Sequence, residues 1–273
     1  MPVVVRSQSS TLSSRQIDSP QNPIIKATAK LRSRRGRQQT GLIIIDGVRE
    51  IQRAVAAGLK LSQLFVPNDL PVDEAIIKGS EQVFQVSSRA HAKIAFGDRS
   101  ELVATAERPT GSINDIQVTS TSPVVVVEAI EKPGNIGAIM RSADGAGAAG
   151  IVLVDPLADH FSPNAIRASL GTAFHVKVST ASFDEFKLWC SQSAITPLLA
   201  ICDSDATRYD HINFDRRVAI VLGNEAHGLT DKWGRLSKTE RLVVPMKGVA
   251  DSLNVSVTAA ILLYEATKHR QSR

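Results

Sequence analysis

Cysteine is scarce in this chain: Cys190 and Cys202 are the whole complement, and they form no C-x-x-C pair. That spacing excludes a thiolate zinc site and a disulfide framework, and it points to a reducing compartment. Long apolar runs are missing too. Nothing approaches the roughly 20 residues a membrane-spanning helix requires, so a soluble, cytoplasmic protein with no membrane partner is expected. The chain also lacks a P-loop, an H-E-x-x-H pair and a G-x-S-x-G elbow, and Gly134 and Gly137 give only G-x-x-G where a dinucleotide fingerprint needs a third glycine. No metal site is expected. Acid is nearly absent from the N-terminal stretch. Through Ile45, Asp18 stands alone against eight basic residues, a local +7 in a chain of net +5, so the remainder carries −2.

What is present is enough for one large or two modest domains: 273 residues, 43% of them hydrophobic. Residues 1–22 are rich in Ser, Gln and Arg and predict a disordered tail. That composition resembles a transit peptide, but it reads as a short extension of a cytoplasmic protein. Residues 23–107 predict a small α/β domain that begins with a basic helix from Ile24 to Arg35. Lys30, Arg32, Arg34, Arg35 and Arg37 follow one another without an acid, a pattern suited to the phosphates of RNA. Residues 108–121 are polar and proline-bearing, as a linker would be.

From residue 122 onward, strands and helices alternate, and the strands are apolar throughout rather than at every second position. That pattern predicts a mainly parallel sheet covered on both faces. Three strand ends open onto polar loops: Val124 to Ala129 onto Glu131–Gly137, Val218 to Gly223 onto Asn224–Leu229, and Leu242 to Val244 onto Lys247–Ser252. Ligands gather at such ends, where helix N-termini present unpaired N–H groups. In the last helix, Leu253, Val257, Ala260, Ile261 and Tyr264 form a stripe expected to face the core, and Asp251 and Ser252 stand where an N-cap belongs. Glu225 and His227 form a possible acid/base pair.

The three loops together carry a resemblance. PGNIGAIMRSADGAG from Pro133, LGNEAHGL from Leu222 and VPMKGVADSLNVSVTAAILLYE from Val244 resemble the three ordered motifs of the SpoU/TrmH family. Those enzymes are S-adenosylmethionine-dependent RNA 2′-O-ribose methyltransferases of the knotted SPOUT superfamily. The basic helix and GLIIIDGVREIQRAVAAG from Gly41 resemble the ribosomal-protein-like substrate-binding domain of many members, which commonly show Glu where this chain has Asp46.

The resemblance implies a trefoil knot, a homodimer and a catalytic set of Asn135, Arg141, Glu225, Ser252 and Asn254. It implies that Leu222, Gly223, Val244, Met246 and Leu253 hold S-adenosylmethionine, and that Arg141 is either the acceptor of the 2′-hydroxyl proton or a clamp on the neighbouring phosphate. Arg167, in IRASLGTAF, becomes a candidate for contact with RNA or with a second subunit. Ribosomal RNA is the implied substrate. The alternatives are transfer RNA, or a non-catalytic RNA-binding protein that kept the fold.

Overall fold

The structure, a computed structural model, describes residues 15–68, 70–97, 101–203 and 205–268, and divides into two compact units between Glu107 and Arg108. In the first unit, β-branched and aromatic runs form a five-stranded sheet in the order β1-β4-β3-β5-β2. Its strands are β1 (Arg15–Ile17), β2 (Leu42–Asp46), β3 (Leu61–Pro67), β4 (Val83–Val86) and β5 (Val103–Glu107). The helices are α1 (Pro23–Lys30), α2 (Arg34–Thr40), α3 (Val48–Ala56), α4 (Glu74–Lys78) and α5 (Ser88–Ile94).

Two expectations change here. The tail is not disordered to residue 22: Arg15–Ile17 pairs in parallel with Phe84–Val86, because Ile17 can bury its side chain there, while residues 1–14 lie outside the described residues. The single basic helix is two, interrupted where Ser33 caps α2 by accepting the Gly36 N–H.

The second unit is a seven-stranded sheet, parallel at every pairing, in the order β10-β12-β9-β11-β6-β7-β8. Its strands are β6 (Val124–Glu128), β7 (Gly150–Val154), β8 (Val178–Ala181), β9 (Thr196–Ala200), β10 (Thr207–Arg208), β11 (Val218–Leu222) and β12 (Glu240–Val243). The helices are α6 (Pro133–Ala146), α7 (Pro163–Ala168), α8 (Phe183–Gln192) and α9 (Val255–Thr267). Every residue of β6, β7 and β11 is buried, as the unbroken apolar runs require of strands covered on both faces.

The polar segment 108–121 is not a free linker. Ser112 and Asp115 form a capping box around a 3-10 turn, and Ile116 and Val118 enter the core beside Val124, Phe186 and Trp189. Strand β8 begins only at Val178, because left-handed Leu170 and Gly171 and a 3-10 turn at Thr172–Phe174 use up the preceding chain. In α9 the buried face is Val255, Ala259, Leu262 and Leu263, whereas Val257 and Tyr264 are 46% and 51% exposed. A helix apolar on nearly every side has no single stripe for periodicity to find.

Helix α6 lies against α7 and α9. The approach to α7 depends on Gly137, where an added Cβ would stand 2.4 Å from the Ala165 carbonyl oxygen and 2.6 Å from the Ala168 Cβ. Gly134, one turn earlier, has open space around it. Gly137→Ala should therefore lose about 1–3 kcal/mol in urea denaturation, as overpacked cores do, while Gly134→Ala should gain up to about 1 kcal/mol from helix propensity. Equal effects from the two substitutions would contradict this packing.

Candidate active site

Parallel strands bring all their C-terminal ends to one edge, so the loops after β6, β9, β11 and β12 meet there. They enclose a cavity of about 640 Å³, within the range of small-molecule sites. Leu222, Val244, Met246 and Leu253 give it apolar walls, and Glu225, Ser252 and Asn254 supply polar groups.

The loop after β11 is shaped by Asn224 and Gly223. The Asn224 backbone exchanges two 2.9 Å hydrogen bonds with Gly228, and its side-chain oxygen accepts the N–H groups of Ala226 and His227. Its amide donates to the Ala129 carbonyl at 2.9 Å and to Glu131 at 3.1 Å, tying this loop to the one after β6. A Cβ on Gly223 would fall 2.1 Å from the Gly228 carbonyl carbon, so the turn closes only over glycine.

Asn135, in the first turn of α6, joins all three loops. Its amide donates to Glu225 Oε1 at 2.8 Å, and its carbonyl oxygen accepts from the Asn254 amide at 3.2 Å. Asn254 is the N-cap of α9, accepting the Ser256 N–H at 2.8 Å; the cap is not Asp251 or Ser252. Burial pushes the Glu225 carboxyl up, but the Asn135 amide and the N–H groups of Glu225, Glu131 and Lys132 outweigh it and hold the group below its ordinary value. It is therefore an anionic acceptor at neutral pH. His227 is exposed and only its backbone reaches this network, so the expected acid/base pair with Glu225 does not form.

Beneath the loop lies a second anchor that no local sequence pattern announced. Glu128 is 1% exposed at the end of β6 and accepts the Thr230 N–H at 2.9 Å, the Thr230 hydroxyl at 2.7 Å and the Lys232 ammonium at 2.8 Å. Lys232 also pairs with Asp155 at 2.8 Å, at the end of β7. Burial pushes the Glu128 carboxyl up; Lys232, Thr230 and Trp233 together hold it below its usual value.

The cavity is therefore lined by eight of the ten expected catalytic and cofactor residues, and Asn135 is bonded to two of them. Arg141 is different. It is exposed on α6 beyond Asn135 and does not line the cavity. The end of β9, Ala200–Cys202, also lines it; only the strand order, with β9 between β11 and β12, could have revealed that.

Among the expected RNA contacts, Lys30, Arg34 and Arg35 are exposed and Arg167 is half-buried on α7. Arg32 is half-buried and donates to the carbonyls at the end of α5. Arg37 contradicts its assignment: it is 2% exposed and donates to the carbonyls of Leu31 at 2.9 Å and Arg32 at 3.0 Å. Its guanidinium satisfies the turn that separates α1 from α2. Among the described residues no cluster of ligating side chains could hold a metal ion, and no helix is long and apolar enough to cross a membrane.

Comparison with known proteins supplies the context. Residues 122–264 match the SpoU rRNA methylase family, and residues 22–105 match the MRM3-like substrate-binding domain. The chain is 28% identical over 256 residues to the 23S rRNA (guanosine(2553)-2′-O)-methyltransferase RlmP of Bacillus subtilis, covering 92% of this chain and 98% of that one. It is similar to a crystal structure of an RNA 2′-O ribose methyltransferase, with a TM-score of 0.79, 34% identity and coverage of 94% and 99%. It is similar as well to an AdoMet-bound rRNA methyltransferase from Sinorhizobium meliloti, with a TM-score of 0.84, 26% identity and coverage of 94% and 98%.

The Glu128 anchor gives a pH signature. A carboxyl held low in the fold contributes stability that is present above its unfolded value of about 4.3 and is lost as pH falls through its folded value. Glu128→Ala should cost about 1–3 kcal/mol near neutral pH, from buried donors left unpaired. In urea titrations the gap to the unsubstituted protein should stay level from pH 6 to 8 and narrow below about pH 4. A gap that widens on acidification would contradict the assignment.

Proposed function

Because the chain belongs to the SpoU rRNA methylase family, we propose that it transfers a methyl group from S-adenosylmethionine to a ribose 2′-hydroxyl of ribosomal RNA. The observation that carries this reading is Asn135, bonded at once to Glu225 and Asn254 at a cavity of suitable size. The cavity fits the methyl donor. Leu222, Val244, Met246 and Leu253 offer apolar surface to an adenine, and Gly223 lines the same wall. S-adenosylmethionine supplies, when bound, a methyl group on a positively charged sulfur, open to in-line attack by an alcohol oxygen.

The protein's part is alignment and desolvation. The anionic Glu225 fixes the Asn135 amide, Asn135 fixes Asn254, and Ser252 presents a hydroxyl at the cavity wall. Exposed Arg141, with no hydrogen bond or ion pair among the described residues, acts as a clamp on the phosphate beside the target ribose. A guanidinium stays protonated in proteins and suits that task better than proton removal.

The domain arrangement follows the same reading: residues 23–107 grip structured RNA, and the part from residue 122 carries the chemistry. The insertion of β12 between β9 and β10, with α9 then packed on α6 and β11, supports the knot. Val257 and Tyr264, large apolar side chains exposed on α9, support a homodimer. Cytoplasmic residence agrees with the free thiols Cys190 and Cys202.

With labelled S-adenosylmethionine and ribosomal RNA, Arg141→Ala should reduce methyl transfer at least about 100-fold, a loss on the scale of one positioned charge, and leave donor affinity within about twofold. Undiminished turnover would remove Arg141 from the site. Transfer to tRNA instead of ribosomal RNA would change the substrate. Absence of donor binding by the unsubstituted protein would favour a non-catalytic RNA-binding role.

A further inference from the structure

Three charged residues line the cavity: Lys132, Glu225 and Asp251. Glu225 is already engaged, by the Asn135 amide and by the backbone N–H groups of Glu131 and Lys132 at 3.3 Å each. The Lys132 ammonium and the Asp251 carboxylate are not. Both residues are exposed, and neither side chain makes a hydrogen bond or an ion pair among the described residues. Glu131, the acid next to Lys132, accepts instead from the Asn224 amide at 3.1 Å.

The fold pairs their positions. Lys132 stands three residues before Asn135 and Asp251 three residues before Asn254, and the 3.2 Å bond between those two asparagines joins the starts of α6 and α9. The two unengaged charges thus reach one cavity from the two segments that Asn135 locks together. Local structure calls for neither. Lys132 is the N-cap of α6, a position that favours Ser, Thr, Asp or Asn; its side chain caps nothing, and its charge adds to the positive pole of the helix. Asp251 caps nothing either, because Asn254 is the cap of α9. Residues that break a local rule without a compensating contact are expected at functional sites.

The signs of the charges identify the ligand group. The lining offers one cation and two anions. S-adenosylmethionine carries the reverse, one carboxylate against an ammonium and a sulfonium. An RNA phosphate offers only negative charge and would meet Glu225 and Asp251 with repulsion. We propose that Lys132 and Asp251 form the subsite for the amino-acid tail of the methyl donor, Lys132 holding its α-carboxylate and Asp251 its α-ammonium. With both charges of the tail fixed, the sulfonium is held at one place relative to the incoming hydroxyl. The pair binds and orients the donor and takes no part in proton transfer. This inference rests on the methyltransferase reading and adds to it the residues that select a nucleoside bearing an amino-acid tail.

The full-length protein is titrated calorimetrically with three nucleosides: S-adenosylhomocysteine, which has the whole tail, its decarboxylated analogue, which keeps only the ammonium, and methylthioadenosine, which has neither charge. Lys132→Gln should weaken S-adenosylhomocysteine about 3- to 30-fold, between the worth of an exposed ion pair and that of a buried charged hydrogen bond, and change the other two less than about twofold. The unsubstituted protein should prefer S-adenosylhomocysteine to the decarboxylated analogue by a similar factor, and Lys132→Gln should lose that preference. Asp251→Asn should weaken both nucleosides that carry the ammonium and spare methylthioadenosine. Lys132→Arg should keep most of the affinity, and the loss in Lys132→Gln should shrink in high salt. Equal affinity of Lys132→Gln and the unsubstituted protein for S-adenosylhomocysteine, or equal losses on all three nucleosides, would overturn the proposal. Unchanged nucleoside affinities with weakened binding of ribosomal RNA would overturn it in favour of a phosphate contact. Methyl transfer measured alongside separates the two readings: transfer by a protein whose donor affinity does not depend on Lys132 refutes the subsite alone, and failure of the unsubstituted protein to bind any of the three nucleosides refutes the enzyme and the subsite with it.

Discussion

A single side-chain amide, that of Asn135, donates to a carboxylate from one loop and accepts from an amide of another, 90 and 119 residues further along the chain. Each loop is irregular and polar, and none has a core of its own to hold it. Their common geometry depends on the amide presenting a donating NH2 at one end and an accepting carbonyl at the other, and on both ends being used. Glu225 stays charged because the amide and nearby N–H groups favour the anion over its desolvation. That charge orients Asn135, and Asn135 in turn orients the residue capping α9. A chain of this kind gives a rigid wall at modest energetic cost, which suits a site whose contribution is alignment.

The network stands on a stiffer foundation. All seven strands of the second unit run in one direction, so their ends can be neighbours only at one edge. There Glu128 and Asp155, at the ends of adjacent strands, hold Lys232 between them, while Asn224 ties the loop to Ala129. Ala129 and Asp155 both have positive φ, 47° and 48°, a conformation costly for residues other than glycine. The chain turns abruptly at two adjacent strand ends, and the same loop is bonded at both.

Much of this site was legible in the sequence. Apolar strands without alternation indicated a buried parallel sheet, and three polar loops at strand ends indicated where a ligand would lie. What stayed hidden depended on partners distant in the chain. Arg37 looks like any arginine in a basic run, and only the fold turns it inward toward the Leu31 carbonyl. Glu128 and Lys232 are 104 positions apart, and nothing local pairs them. The stripe assigned to α9 failed because that helix is apolar on several sides.

The site turns on the three loops acting as one unit through Asn135. A double-mutant cycle with Asn135→Ala and Glu225→Ala, read as the affinity for S-adenosylhomocysteine by titration calorimetry, addresses it directly. The two losses should fall short of additivity, with a coupling of about 0.5–3 kcal/mol, as for contacting residues. Losses that add to within about 0.3 kcal/mol, the behaviour of independent sites, would contradict it.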